Sequence, residues 1–234
     1  MTRNLIAGLL LGTVLASPAA FAQTSLPDWS GSWSRAEGVQ LPQPKALLPY
    51  LTPSSAKIFA GEIANHSFRV PWSSCDPGAV PAMMTEEPLP FEFLFTPGRA
   101  TLIMADDQVR RIYTEPGAQH YSLKTGETSY FGDSIGHWEG DTLVVDTVGL
   151  NTDNQVVIGY DNNDNLHVVE RIRKIDADTL ADTLTVTGFE GDIPGKPFVR
   201  TQTYKHSTNP VRENLCVASK NRDTGTSLNL TPPP

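Results

Sequence analysis

GDSIGHWEGDTLVVDTVGLN, residues 132–151, decides the fold. Gly136 and Gly140 punctuate its first half, and Glu139-Gly140-Asp141 has the length and composition of a hairpin connector. The run Thr142–Val148 is rich in β-branched residues, which suit a pleated strand better than a helix. Gly149 closes it. The same grammar recurs on both sides. Phe91, Phe93 and Phe95 alternate with Glu92, Leu94 and Thr96, and residues 100–104 and 108–114 follow around Ala105-Asp106-Asp107. Residues 129–138 lead into the quoted stretch. Segments 166–175 and 179–187 are joined by Asp176-Ala177-Asp178, and 198–205 ends the series. Many short strands with tight connectors predict an all-β, closed or nearly closed antiparallel barrel, with a β-sandwich as the alternative.

The flanks read differently. Arg3, the apolar residues 5–15 and Ala20-Phe21-Ala22 have the form of a signal peptide cleaved after Ala22, so residues 1–22 stand outside the fold. The rest, 23–234, fits a single domain in the periplasm or outside the cell. Residues 38–90 are dense in proline, which interrupts ladders and helices alike. They predict a long N-terminal excursion over the barrel, with one helix over 54–64 capped by Ser54 or Ser55. Residues 209–234 form a polar C-terminal tail. Cys75 and Cys216 are the two cysteines, and export permits the disulfide between them that would tie excursion to tail. The formal charge of −8 argues against nucleic acid or an anionic membrane as partner, since both select clustered basic charge.

Gly31-Ser32-Trp33 resembles the Gly-x-Trp of the first strand in lipocalin-type barrels. A broader likeness rests on Cys75-Asp76-Pro77-Gly78, Phe91-Glu92-Phe93, Arg110-Arg111-Ile112-Tyr113-Thr114, Ser134-Ile135-Gly136 with residues 138–147, residues 166–171, and Asn214-Leu215-Cys216. Together these resemble a large family of secreted bacterial proteins of uncharacterised function, with the block over 138–147 the most specific. His137 and the loop 151–165 depart from the pattern. The resemblance implies export and a lipocalin-like, calycin-type barrel. It implies no reaction and no catalytic residue.

Three motifs suggest chemistry and fail on context. Gly132-Asp133-Ser134-Ile135-Gly136 matches G-x-S-x-G, but a strand follows the serine where a nucleophile elbow needs a helix. Asp161-Asn162-Asn163-Asp164-Asn165 lacks the Gly and Glu of a calcium loop. The five histidines show no metal-ligand spacing, so neither metal nor cofactor is expected.

Alternation is more informative. In 166–175 it places Leu166, Val168, Glu170 and Ile172 on one apolar face, so Glu170 is expected inside the barrel. Asp182 shares a face with Leu180, Leu184 and Val186, and Asp146 with Val144 and Val148. A buried carboxylate must be paired or protonated. Arg111 or Tyr113, which share a face with Val109, is the expected donor to it. The resulting expectation is a barrel enclosing a small, partly apolar or aromatic molecule. Glu170, Tyr113 and Arg111 are its chemical centre, and Trp138, Asp146 and His167 contact the ligand. The enzyme alternative gives the same barrel acid–base isomerase, cyclase or lyase chemistry, with Glu170 as base. A third possibility is an envelope protein whose barrel is filled.

Overall fold

The computed structural model describes residues 27–36, 44–67, 80–85, 90–105, 108–152, 155–157, 159–208 and 210–212. The expected signal peptide, both cysteines of the expected disulfide and most of the C-terminal tail lie outside these residues.

Nine strands close into a barrel. In chain order they are β1 (Ser32–Arg35), β2 (Phe91–Thr96), β3 (Arg99–Met104), β4 (Val109–Tyr113), β5 (Asp133–Glu139), β6 (Thr142–Val148), β9 (His167–Asp176), β10 (Thr179–Thr187) and β11 (Phe198–Ser207). A separate two-stranded ribbon, β7 (Gln155–Val157) and β8 (Tyr160–Asp161), falls within the loop between β6 and β9 and was not foreseen. The spatial order is β1-β11-β10-β9-β6-β5-β4-β3-β2, and β1 pairs with both β11 and β2 to seal it. The barrel replaces the sandwich alternative.

The expectation of an antiparallel barrel needs one correction. β4 and β5 run parallel, joined by only two residue pairs, Ile112 with Ser134 and Tyr113 with Ile135. The connector 114–132 is long enough to carry the chain back along the barrel before β5 begins, and a parallel pair requires such a crossover. It contains a single helical turn, α3 (Ser122–Thr125). Gly149, at φ +65°, lets that turn approach: a Cβ there would lie 2.6 Å from the Cβ of Ser122.

Period-two alternation fills the lumen. Leu102, Ile112, Leu143, Val145, Val168, Ile172, Leu180 and Leu184 are fully buried, and Trp33 lies among them as the Gly-x-Trp reading expects. Trp29 meets Phe93 edge-on at 5.0 Å, Phe95 at 5.3 Å and Trp138 at 5.5 Å, making an aromatic cluster that closes one end. The proline-rich excursion covers the other. A 3-10 helix (Pro44–Tyr50) and α1 (Pro53–Asn65) dock there, with Tyr50 against Phe198 at 5.2 Å and Phe59 against Tyr160 at 4.7 Å. The cap position of α1 is Thr52, not Ser54 or Ser55, because Pro53 takes the first helical turn that its missing N–H suits. A further short turn, α2 (Ala82–Thr85), supplies the Met84 carbonyl that accepts the Tyr204 hydroxyl.

Gly136, on β5, lies against core side chains. A Cβ there would lie 2.9 Å from Ile112 Cγ2 and 3.3 Å from Leu143 Cδ1. Gly136→Val is therefore expected to overpack the lumen and cost about 1–3 kcal/mol, read as a lower urea midpoint at unchanged slope.

Candidate functional site

The middle of the lumen is polar. Glu170 points inward as alternation predicts and is completely buried. Its partner is Arg110, not Arg111. Arg110 Nη1 donates to Glu170 Oε1 at 2.9 Å, and Nη2 donates to Oε2, a bidentate pair. Nη2 also reaches Thr147 Oγ1 at 3.0 Å and Ser134 Oγ at 3.3 Å, and those two hydroxyls lie 2.9 Å apart. One guanidinium on β4 thus gathers side chains from β5, β6 and β9. Burial is the largest single influence and works against its charge, but Glu170, with Asp182 and Tyr204 adding to it, lifts its pKa above the ordinary arginine value. Ser134 is consumed here as a hydrogen-bonding partner within a strand, which is not the geometry of an activated nucleophile.

Asp182 completes the group. It is fully buried beside Glu170, and neither of its oxygens accepts a hydrogen bond. Burial first, and the Glu170 carboxylate second, push its pKa well above the ordinary 3.8, against the opposing pull of Arg110. Its carboxyl is therefore held toward the protonated form. The protonated form of Asp182 reduces the crowding of negative charge beside the Arg110 guanidinium. Tyr204, also buried, is pushed upward by burial and by the two acids, and stays a phenol.

The remaining sequence-derived residues lie outside the lumen. Arg111 and Tyr113 point outward from β4, with Tyr113 45% exposed, so neither contacts Glu170 as expected. VRRIY offers an arginine to each face, and the apolar Val109 and Tyr113 favour the wrong one. Trp138 belongs to the aromatic cluster at the barrel end. Asp146 and His167 sit on the outer surface and bind each other, with His167 Nε2 2.8 Å from Asp146 Oδ1. His120, missed by the sequence reading, stands between two acids. Its Nε2 is 3.4 Å from Asp146 Oδ1 and its Nδ1 is 3.6 Å from Asp133 Oδ2. Asp133 also accepts the Ser122 amide at 2.8 Å, which holds α3 against the sheet. Among the described residues no group of three or more His, Cys, Asp or Glu side chains converges as a metal site.

At the parallel seam the outer surface opens into a cleft of about 680 Å³. Val109, Arg111 and Tyr113 of β4 form one wall, and the returning segment, with Tyr121, Glu127 and Phe131, forms the other. The floor is Asp133, Ser134 and Ile135. Two pairs of β-residues cannot keep β4 and the returning segment flush, and the gap between them is this cleft. Arg111 and Tyr113 therefore share a site, but not one with Glu170.

The charge inventory gives ordered outcomes. Arg110→Met leaves two acids and no cation in the core, and is expected to cost about 3–5 kcal/mol in chemical denaturation. Glu170→Gln should cost less, because Asp182 stands ready to ionise and take its place beside Arg110. Glu170→Gln combined with Asp182→Asn should be as damaging as Arg110→Met. A second outcome concerns pH. Since the folded state raises the Asp182 pKa, the stability this group contributes is fully present below 3.8 and declines as pH rises toward its folded value. Stability of the wild type relative to Asp182→Asn should fall across that interval in paired urea titrations.

Comparison of the chain with protein-family models, curated proteins and solved structures returns no match, so the reading of the site rests on its geometry.

Proposed function

We propose that the protein is an exported small-molecule-binding β-barrel whose ligand, partly apolar or aromatic, sits in the β4–β5 cleft and not in the lumen. The cleft carries this reading. It has the volume of a small-molecule site, it joins aromatic walls to a few charged groups, and it lies where β4 and β5 share only two residue pairs. The lumen supports it by contrast, because its centre is occupied by the Arg110 network and by buried aliphatic side chains. In this reading Glu170 is a structural residue, and Arg111 and Tyr113 are the ligand contacts.

The acid–base alternative draws on one observation. Asp133 on the cleft floor, His120, Asp146 and His167 lie in succession at 3.6, 3.4 and 2.8 Å, the last contact being a hydrogen bond. A proton taken from a cleft-bound molecule would pass through His120, not Glu170. His120→Gln separates the readings: product formation disappears while binding persists if these groups are catalytic.

A fragment library followed by amide NMR shifts tests the binding reading. Shifts are expected at Arg111, Tyr113, Tyr121 and Phe131, and Tyr113→Ala should weaken binding about tenfold through lost aromatic contact. Shifts centred on Arg110 and Glu170 would instead place the ligand in the lumen and overturn the proposal.

A further inference from the structure

Resting on the cleft as the binding site, we infer that its ligand is a zwitterion: a small molecule with a carboxylate or similar anion, an ammonium-type cation, and an aromatic or apolar body between them.

Asp133 is occupied by the Ser122 amide and faces His120. Arg111, Glu115 and Glu127 also line the cleft, and among the described residues none of the three forms an ion pair. Arg111 stands on β4 between Val109 and Tyr113. Glu115 is fixed at the rim by the turn that precedes β3: Thr114 N–H donates to the Gly98 carbonyl at 2.8 Å, and a Cβ on Gly98 would lie 2.5 Å from Glu115 Cγ. Glu127 follows α3 on the opposite wall, its amide donating to Thr125 Oγ1 at 3.3 Å. The cleft therefore offers one unmatched cation and two unmatched anions around Tyr113, Tyr121 and Phe131.

A ligand of a single charge meets a like charge there. An anion that satisfies Arg111 faces two carboxylates, and a cation that satisfies the glutamates faces a guanidinium. A neutral ligand leaves all three groups partly desolvated and unpaired, which is unfavourable. A molecule carrying both signs meets a complement at each end. The guanidinium fork binds a carboxylate by two hydrogen bonds. Carboxylates and aromatic faces together suit an ammonium group. The aromatic walls accept the body between them.

The test is a matched set of three probes on the full chain, measured by calorimetry: phenylalanine, phenethylamine, which lacks the carboxylate, and 3-phenylpropionate, which lacks the amine. Phenylalanine should bind at least about tenfold tighter than either, the loss expected for one charge-assisted hydrogen-bonded pair. Arg111→Ala should erase its advantage over phenethylamine and leave its advantage over phenylpropionate. Glu115→Gln with Glu127→Gln should do the reverse. Arg111, Tyr113, Glu115 and Glu127 are exposed, so variants at these positions are expected to fold, and circular dichroism checks that. Equal binding of all three probes, or tightest binding of a one-charge probe, would overturn the zwitterion while leaving the cleft as the site. Binding by none of them, or binding indifferent to Arg111→Ala and Tyr113→Ala alike, would overturn the cleft reading together with the zwitterion.

Discussion

A guanidinium at the centre of a small barrel constrains everything around it. Arg110 is fully buried, and a lone charge there would be prohibitively unfavourable. It is tolerable only if its hydrogen-bonding fork is met from several directions. Glu170 meets it from β9, Thr147 from β6 and Ser134 from β5. Those contacts fix how far β4 can slide against β5, a seam with only two residue pairs. Where the backbone provides two residue pairs, the side chains provide the register. A slip of one residue would turn Arg110 outward and bring Arg111 in without moving Glu170.

The same network gathers two acids around one guanidinium. Two acids and one base leave a surplus negative charge unless one acid keeps its proton. Asp182, with no donor at either oxygen, is the one that does. Aliphatic side chains lie around this polar group, and aromatic or helical lids close both ends. A lumen built this way resembles a domain core more than a binding cavity. Sites that could exchange with solvent are moved outward, to the strand faces and connectors.

Much of this was legible in the residues, and the reasons for the exceptions are specific. Thr142–Val148 and Thr179–Thr187 read correctly because β-branched runs between short polar connectors have one good conformation. Glu170 read correctly because Leu166, Val168 and Ile172 share its face, leaving no outward option without exposing them. Arg110 did not. Val109-Arg110-Arg111-Ile112-Tyr113 carries an arginine on each face, and its apolar residues are split, so alternation alone cannot rank the two registers. Only the demand of Glu170, sixty residues away, decides between them. The parallel seam was equally hidden, since a connector as long as 114–132 allows β5 to return in either direction. His120 lies in that connector, and no periodicity marks it as a neighbour of Asp133 and Asp146.

The seam links the two halves of the molecule. Antiparallel hairpins would have given continuous ladders and an outer surface with little relief, whereas a parallel junction needs a crossover that must pass over the barrel wall. Here the crossover is pinned by the Ser122 amide on Asp133 and by His120 between two aspartates, so it stands beside β4 as a second wall. The floor of the resulting cleft includes Ser134, whose hydroxyl contacts Arg110. The charge that holds the core together and the surface suited to a ligand therefore meet at a single residue of β5. A molecule seated in the cleft would press on the strand pair whose register Arg110 maintains, and its binding would be coupled to barrel stability through that contact.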